Sequence, residues 1–207
     1  MIVPELPWAI ASCSAFVQTP TNRLFICGGI GDEETTKRTI EILGSGGDGD
    51  EMQYVLKEGM NYRRFDHSLC YVDDSYLFAT GSYIKEDKMF ETCERYDISM
   101  DRWAKYPPLN IGRAFHSSCG FEGNFVFVMC GLVYFREQSV EQDEDQPGMS
   151  FIKEEFHWRM SNTIEMFDSQ SKAKGWVPVE IPETPLTVRR SPGLIQINSS
   201  EILIFGG

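Results

Sequence analysis

The chain has 207 residues, 19 Lys and Arg against 31 Asp and Glu, and a formal net charge of −12. So acidic a surface disfavours nonspecific binding to nucleic acid or to anionic membrane, both of which need a basic face. An apolar content of 42% supports a packed core, and an aromatic content of 13% suits strands better than helices.

The N-terminal stretch Met1-Ile-Val-Pro-Glu-Leu-Pro-Trp8 carries an acid and two prolines with no basic region, so it reads poorly as a signal peptide. No apolar run approaches the roughly 20 residues of a membrane-spanning helix. Six cysteines are present, none in C-x-x-C spacing, and a zinc or redox motif is not expected. They read as reduced thiols acting as small buried hydrophobes, in keeping with a cytoplasmic protein. Cys13, Cys70 and Cys119 are aligned at matching places of the repeat described next.

A short apolar run ending in glycine recurs along the chain. It reads LFICGG to Gly28-Gly29, LFATGS at Gly81, VFVMCG at Gly131 and ILIFGG to Gly206-Gly207. Around the second copy, four short segments are predicted as strands: His67–Val72, Tyr76–Gly81, Glu91–Tyr96 and Asp101–Tyr106. Each is too short for a helix with a buried face, and turn residues separate them at 8–12-residue spacing, which indicates an all-β protein. Aligned third strands start at Thr39, Thr92 and Thr163, so that Glu41, Glu94 and Glu165 coincide, as do Leu43, Tyr96 and Phe167. An aspartate follows two of these, giving Tyr96-Asp97 and Phe167-Asp168; the fourth strands carry Tyr54, Trp103 and Trp176. An arginine comes next in each unit (Arg64, Arg113 and Arg190), followed in two of them by His67-Ser68 and His116-Ser117.

Four such elements in one order, three times over, resemble the Kelch repeat. The resemblance implies an all-β Kelch-type β-propeller, with one four-stranded antiparallel blade per unit. It places blades at about 11–58, 66–106 and 115–180, and the start of a fourth at 192–207. Three blades and a half do not close a ring, so the expectation is an incomplete ring, part of a larger, six-bladed propeller. The tryptophans are expected to fill the space between blades. The third blade is stretched by an insert at about 136–160. Its acidic start (Glu141 to Asp145) leads to an aromatic and charged half (Phe151 to Trp158). That half reads either as an amphipathic partner-binding element or as a solvated loop. The glycine-rich stretch from Gly44 to Glu51 matches neither a calcium loop nor a phosphate loop and reads as a flexible excursion between strands.

By the same resemblance, the function is noncatalytic protein–protein recognition through inter-blade loops, with no cofactor and no metal. Arg64, Arg113 and Arg190 are the candidate partner-binding residues, since guanidinium groups suit bidentate contacts to carboxylates. The alternatives are a Kelch-fold enzyme of the oxidase or sugar-isomerase type, and a cytoskeletal or ciliary scaffold component. Only three histidines are present, and no nucleophile elbow or zinc-protease motif occurs, so no catalytic residue is assigned. His67 and His116, at equivalent positions, are expected to pack within blades.

Overall fold

A computed structural model describes residues 6, 9–18, 21, 23–43, 53–84, 90–142, 150–180 and 187–207. The glycine-rich stretch at 44–51, the loop at 85–88 and the acidic segment at 143–145 lie outside the described residues, wholly or nearly so.

The protein is all-β. Among the described residues, three four-stranded antiparallel sheets follow one another, each wound in simple up-and-down order. The first holds β1 (Ser14–Gln18), β2 (Arg23–Cys27), β3 (Thr39–Leu43) and β4 (Gln53–Lys57). The second holds β5 (Ser68–Val72), β6 (Tyr76–Thr80), β7 (Cys93–Asp97) and β8 (Arg102–Tyr106). The third holds β10 (Ser117–Phe121), β11 (Phe125–Met129), β14 (Ile164–Asp168) and β15 (Trp176–Val179). A two-stranded sheet, β16 (Gly193–Asn198) with β17 (Glu201–Phe205), begins the fourth unit. First strands neighbour one another, β1 by β5, β5 by β10 and β10 by β16. The sheets are blade-like, packed face against face.

The core lies between the sheets. Phe25, Cys27 and Met60 of the first unit meet Leu69, Leu77, Ala79, Tyr96 and Trp103 of the second. Cys70, Phe78 and Tyr106 of the second meet Val126, Val128, Phe167 and Trp176 of the third. Trp103 and Trp176 each lean on their own sheet and donate to the preceding unit. Trp103 packs at a tilt on Tyr96, 5.1 Å between ring centres, and its Nε1–H reaches Thr39 Oγ1 at 3.0 Å and the Glu58 carbonyl at 3.1 Å. Trp176 sits 5.2 Å from Phe167 and donates to the Pro107 carbonyl at 2.9 Å. Asp97 and Asp168 close the third strands by accepting backbone N–H bonds, from Ser99 and Met100 in one case and Gln170 in the other. Such Asx turns are the physical reason for aspartate at this position.

The residue that follows each second strand is held in the left-handed region: Gly28, Gly81, Cys130 and Gly206 have φ of +62°, +65°, +63° and +67°. A Cβ at Gly81 would come within 2.2 Å of the Arg113 carbonyl oxygen, so glycine answers a close approach as well as a turn.

Pairing corrects the sequence alignment of the first unit by one residue. Cys27 pairs with Thr39, Thr80 with Cys93 and Met129 with Ile164. Hence Ile40, not Glu41, stands where Glu94 and Glu165 stand, and Ile42, not Leu43, stands with Tyr96 and Phe167. A slip of one exchanges the two faces of a strand. Glu41 faces the other way, where it meets Arg23 and, at 3.5 Å, Lys57. Cys13 is also out of line: it occupies the place of His67 and His116, and Phe16 stands where Cys70 and Cys119 do, each pairing with a phenylalanine of the second strand.

The segment expected as an insert at 136–160 is a regular ribbon. β12 (Leu132–Gln142) and β13 (Ser150–Met160) pair over 11 residues each, and β9 (Arg113–Ala114) joins β12 at its base. Cross-strand pairs such as Tyr134 with Trp158 and Val140 with Ile152 stabilise such a ribbon.

Candidate functional site

The three arginines singled out from sequence have two different fates. Arg64 and Arg113 are fully buried. Arg64 Nε donates to Glu94 Oε1 at 2.9 Å, and its Nη1 donates to the carbonyls of Gly81 and Thr92. Arg113 repeats the pattern one sheet on: Nη2 to Glu165 Oε1 at 2.7 Å, and Nη1 to the carbonyls of Cys130 and Thr163. Both carboxylates also cap backbone N–H groups, Asn61 and Tyr62 on Glu94, Asn110 and Ile111 on Glu165. Burial lowers the Arg113 pKa, with Glu165 opposing. These guanidinium groups tie the end of the second strand to the third, and neither is exposed to receive a partner.

The geometric equivalent of this pair in the fourth unit is Arg189, not Arg190. Arg189 Nη1 donates to the Gly206 carbonyl, and the Arg189 carbonyl accepts from Gly131, as the Arg64 carbonyl accepts from Gly29. Counting three residues back from His67 and His116 gives Arg64 and Arg113, and the same count from Pro192 gives Arg189. Arg190, one place on, is exposed, with its guanidinium 3.8 Å from the centre of the Phe115 ring.

Phe115 belongs to a second repeated device. Ser12, Asp66, Phe115 and Ser191 all have φ between +51° and +54°. Their backbones form a ladder: Asp66 N–H to Ser12, Phe115 N–H to Asp66, and Ser191 N–H to Phe115, at 3.0, 2.9 and 2.6 Å. Four non-glycine residues in this region imply strain that the ladder offsets. They rim an open cleft of about 270 Å³ between first strands, to which Ser14, His67, His116 and Ser117 also contribute. Burial raises the Asp66 pKa, against a hydrogen bond from Ser12 and the nearby Arg190 charge.

Beside the cleft the rings form a shelf. Tyr83 lies 6.1 Å from Phe65, 5.3 Å from Phe115 and 5.1 Å from Trp158, the last in a stacked arrangement. Trp158 continues to Tyr134 at 5.0 Å and to Phe90 at 5.9 Å. Backbone bonds fix the components: Tyr83 N–H to Phe65 at 3.0 Å, and Tyr134 N–H to Gly112 at 3.1 Å. Tyr83 is 36% exposed, and Phe65, Phe115, Trp158 and Tyr134 are half-buried. Loops from the second unit, the hairpin of the third and the approach to the fourth thus converge on one aromatic surface with one exposed cation. Sequence reasoning singled out Arg190 but missed Phe65, Tyr83 and Phe115. Trp158 was marked only as part of the insert.

The histidines take no part in that surface. His67 is fully enclosed, its pKa pushed down to about 3 by burial and by Arg64, and neither ring nitrogen has a hydrogen-bond partner. His116 Nε2 bonds Thr80 Oγ1 at 2.8 Å, and burial holds it neutral as well. Five cysteines are buried and Cys13 is exposed; burial pushes Cys27 and Cys93 up to about 12 and Cys119 up to about 11, so none of the three is a ready thiolate. Among the described residues no group of three or more His, Cys, Asp or Glu is placed to hold a metal ion, and no helix is long and apolar enough to cross a membrane.

No protein-family model matches the chain, and no curated protein matches it in sequence.

Proposed function

We propose that the chain is part of a Kelch-type propeller that acts, in the cytoplasm, as a noncatalytic protein-recognition module. The repeat motifs and the blade-like sheets support the fold. The observation that carries the function is the loop-built shelf of Phe65, Tyr83, Phe115 and Trp158 with Arg190 laid over one of its rings. Aromatic rings and arginine are the side chains that most often dominate binding energy at protein interfaces. Loops presented by rigid sheets are where recognition residues concentrate. A partner segment would place apolar groups on the rings and a carboxylate on Arg190; the buried Arg64 and Arg113 would hold the loops in register.

The test compares partners captured by the full protein with those captured by Tyr83→Ser and Arg190→Ala variants. Specific partners lost from both variants, with unchanged thermal unfolding, support the reading. An unchanged set of partners overturns it. The alternative of a Kelch-fold enzyme predicts turnover in oxidase or sugar-isomerase assays of the full-length protein.

A further inference from the structure

The second and third sheets also meet along a groove that shares no residue with the aromatic shelf. Arg95 of β7 lies in it, its guanidinium 3.7 Å from the centre of the Tyr76 ring and 4.9 Å from that of Tyr106. The Lys172 ammonium reaches in from the third unit, from the turn between β14 and β15, and lies 3.8 Å from the same Tyr106 ring centre. Two cations from different units thus share one ring. A ring face attracts a cation but does not neutralise it.

Neither cation donates a hydrogen bond or pairs with a carboxylate among the described residues. The acid on the same face of β7, Asp97, keeps its carboxylate on Ser99 and Met100. Asp168, four residues before Lys172, accepts from Asn124 and Gln170. Two further donors are enclosed without an acceptor: Arg95 Nε, and the hydroxyl of Tyr106, a residue only 7% exposed. Such groups are few in native proteins, and a bound ion or water is one way in which they are met. The groove opens to solvent over Ala104. That residue pairs with Arg95, shares a face with Tyr106 two residues on, and is exposed, as is Arg102 on the same face.

We propose that this groove binds a phosphoryl group. The unpartnered groups are a guanidinium, an ammonium and a phenol, all of them donors, so the ligand must be an acceptor. A phosphate monoester carries a charge of about −1.5 to −2 at pH 7, and its free oxygens only accept. It balances both cations, takes a bidentate contact from Arg95 and supplies the acceptor that the Tyr106 hydroxyl lacks. A carboxylate balances only one of the two charges. A long polyanion is repelled by the net charge of −12, whereas a single phosphoryl group meets the local cations. The site does not rest on the reading of the shelf.

The experiment is isothermal titration calorimetry of the full chain with inorganic phosphate, acetate and the peptide Ala-Ala-phosphoserine-Ala-Ala, at constant ionic strength. Saturable one-to-one binding of phosphate is expected, with acetate at least tenfold weaker. Phosphate affinity should fall about tenfold in Arg95→Gln and in Lys172→Gln, and about threefold in Tyr106→Phe. It should be unchanged in Arg190→Ala. Lys172 is exposed on a turn, so its variant keeps the test independent of folding. Tyr106→Phe adds a second control: it breaks no bond within the protein, so the urea midpoint should not drop while phosphate affinity does. A phosphopeptide that binds at least tenfold tighter than phosphate assigns the site to a phosphorylated partner side chain; equal affinities assign it to a small phosphate. Absence of saturable phosphate binding overturns the proposal. So does full affinity in Lys172→Gln, or acetate binding as tight as phosphate, which would leave charge attraction alone.

Discussion

The second and third sheets close the gap behind their second strands with a buried arginine and glutamate; the first sheet has Ile40 at the glutamate's position and, three residues before Cys13, the half-buried Ile10 at the arginine's, beside Gly29. Arg64, Glu94, Arg113 and Glu165 are as completely enclosed as Ile40, which is 1% exposed. One site therefore admits two chemistries. A buried pair gives back in Coulomb energy and hydrogen bonds roughly what desolvation takes, so aliphatic filling can match it. What the ions add is connection: each guanidinium holds two strand-end carbonyls, and each carboxylate holds backbone N–H groups of the incoming loop. Those loops lead to Phe65 and Phe115, so the charged joints sit under the shelf and the aliphatic joint does not.

The largest expected effect breaks a charged joint from one side. Glu165→Ala leaves the Arg113 guanidinium buried without its counter-charge, and urea unfolding should lose about 3–5 kcal/mol. Ile40→Val, at the matching place of the first sheet, should cost about 1 kcal/mol. Equal costs would mean that the ions are mere filling.

Acid should separate the same regions. His67 and His116 belong to the second and third sheets; Cys13 and Pro192 hold that place in the first and fourth. Both imidazoles have folded pKa values below the unfolded value near 6.5, with His67 at about 3. The unfolded chain then takes up protons first as pH falls. Their stabilisation is complete above pH 6.5 and declines below it, by about 2 kcal/mol for His67 at pH 5. Urea midpoints at pH 7 and pH 5 check this, and His67→Cys, the residue of the first sheet, should reduce the slope. A slope unchanged by that substitution would assign the acid response to other groups.

Trp103→Phe tests how the sheets are stitched. Ring packing is largely kept, but Thr39 Oγ1 and the Glu58 carbonyl lose their donor, for a cost of about 1–2 kcal/mol in urea unfolding. Trp176→Phe strands a single acceptor, the Pro107 carbonyl, and should cost less.

The strands were legible because their period and turn residues are local signals. His67–Val72 and Tyr76–Gly81 agree with β5 and β6 to within a residue. Register was not legible in the first sheet. Thr39 imitates Thr92 and Thr163, yet the carbonyl that meets Gly28 N–H is that of Arg38, as those of Thr92 and Thr163 meet Gly81 and Cys130. Only pairing across strands exposes that slip. Arg190 was taken for Arg189 because two arginines stand together, although the spacing to His67 and His116 marks the first of them. Burial of Arg64 and Arg113 depends on Glu94 and Glu165, some 30 and 52 residues away in the chain, and no local pattern shows it. The shelf escaped notice for the same reason: Phe65, Tyr83, Phe115 and Trp158 are scattered singly and meet only when loops of neighbouring units converge.

A paired substitution is the most direct test of the comparison. Arg113→Met with Glu165→Leu imports the aliphatic solution of the first sheet into the third. It removes both charges together, so no guanidinium is stranded, and the volume is roughly kept. Two backbone donors, Asn110 and Ile111, lose the carboxylate they share, but Asn110 is exposed and Ile111 is 37% exposed, so water can replace it. The Cys130 carbonyl loses its guanidinium donor, while the Thr163 carbonyl keeps the Cys130 N–H. The double variant should therefore lie only about 1–2 kcal/mol below the parent in urea unfolding. Set against the 3–5 kcal/mol expected for Glu165→Ala, that gap shows that most of the single-variant loss comes from the abandoned charge rather than from the bond. A double variant as unstable as Glu165→Ala would instead make the ion pair itself indispensable, and the isoleucines of the first sheet would need a different explanation.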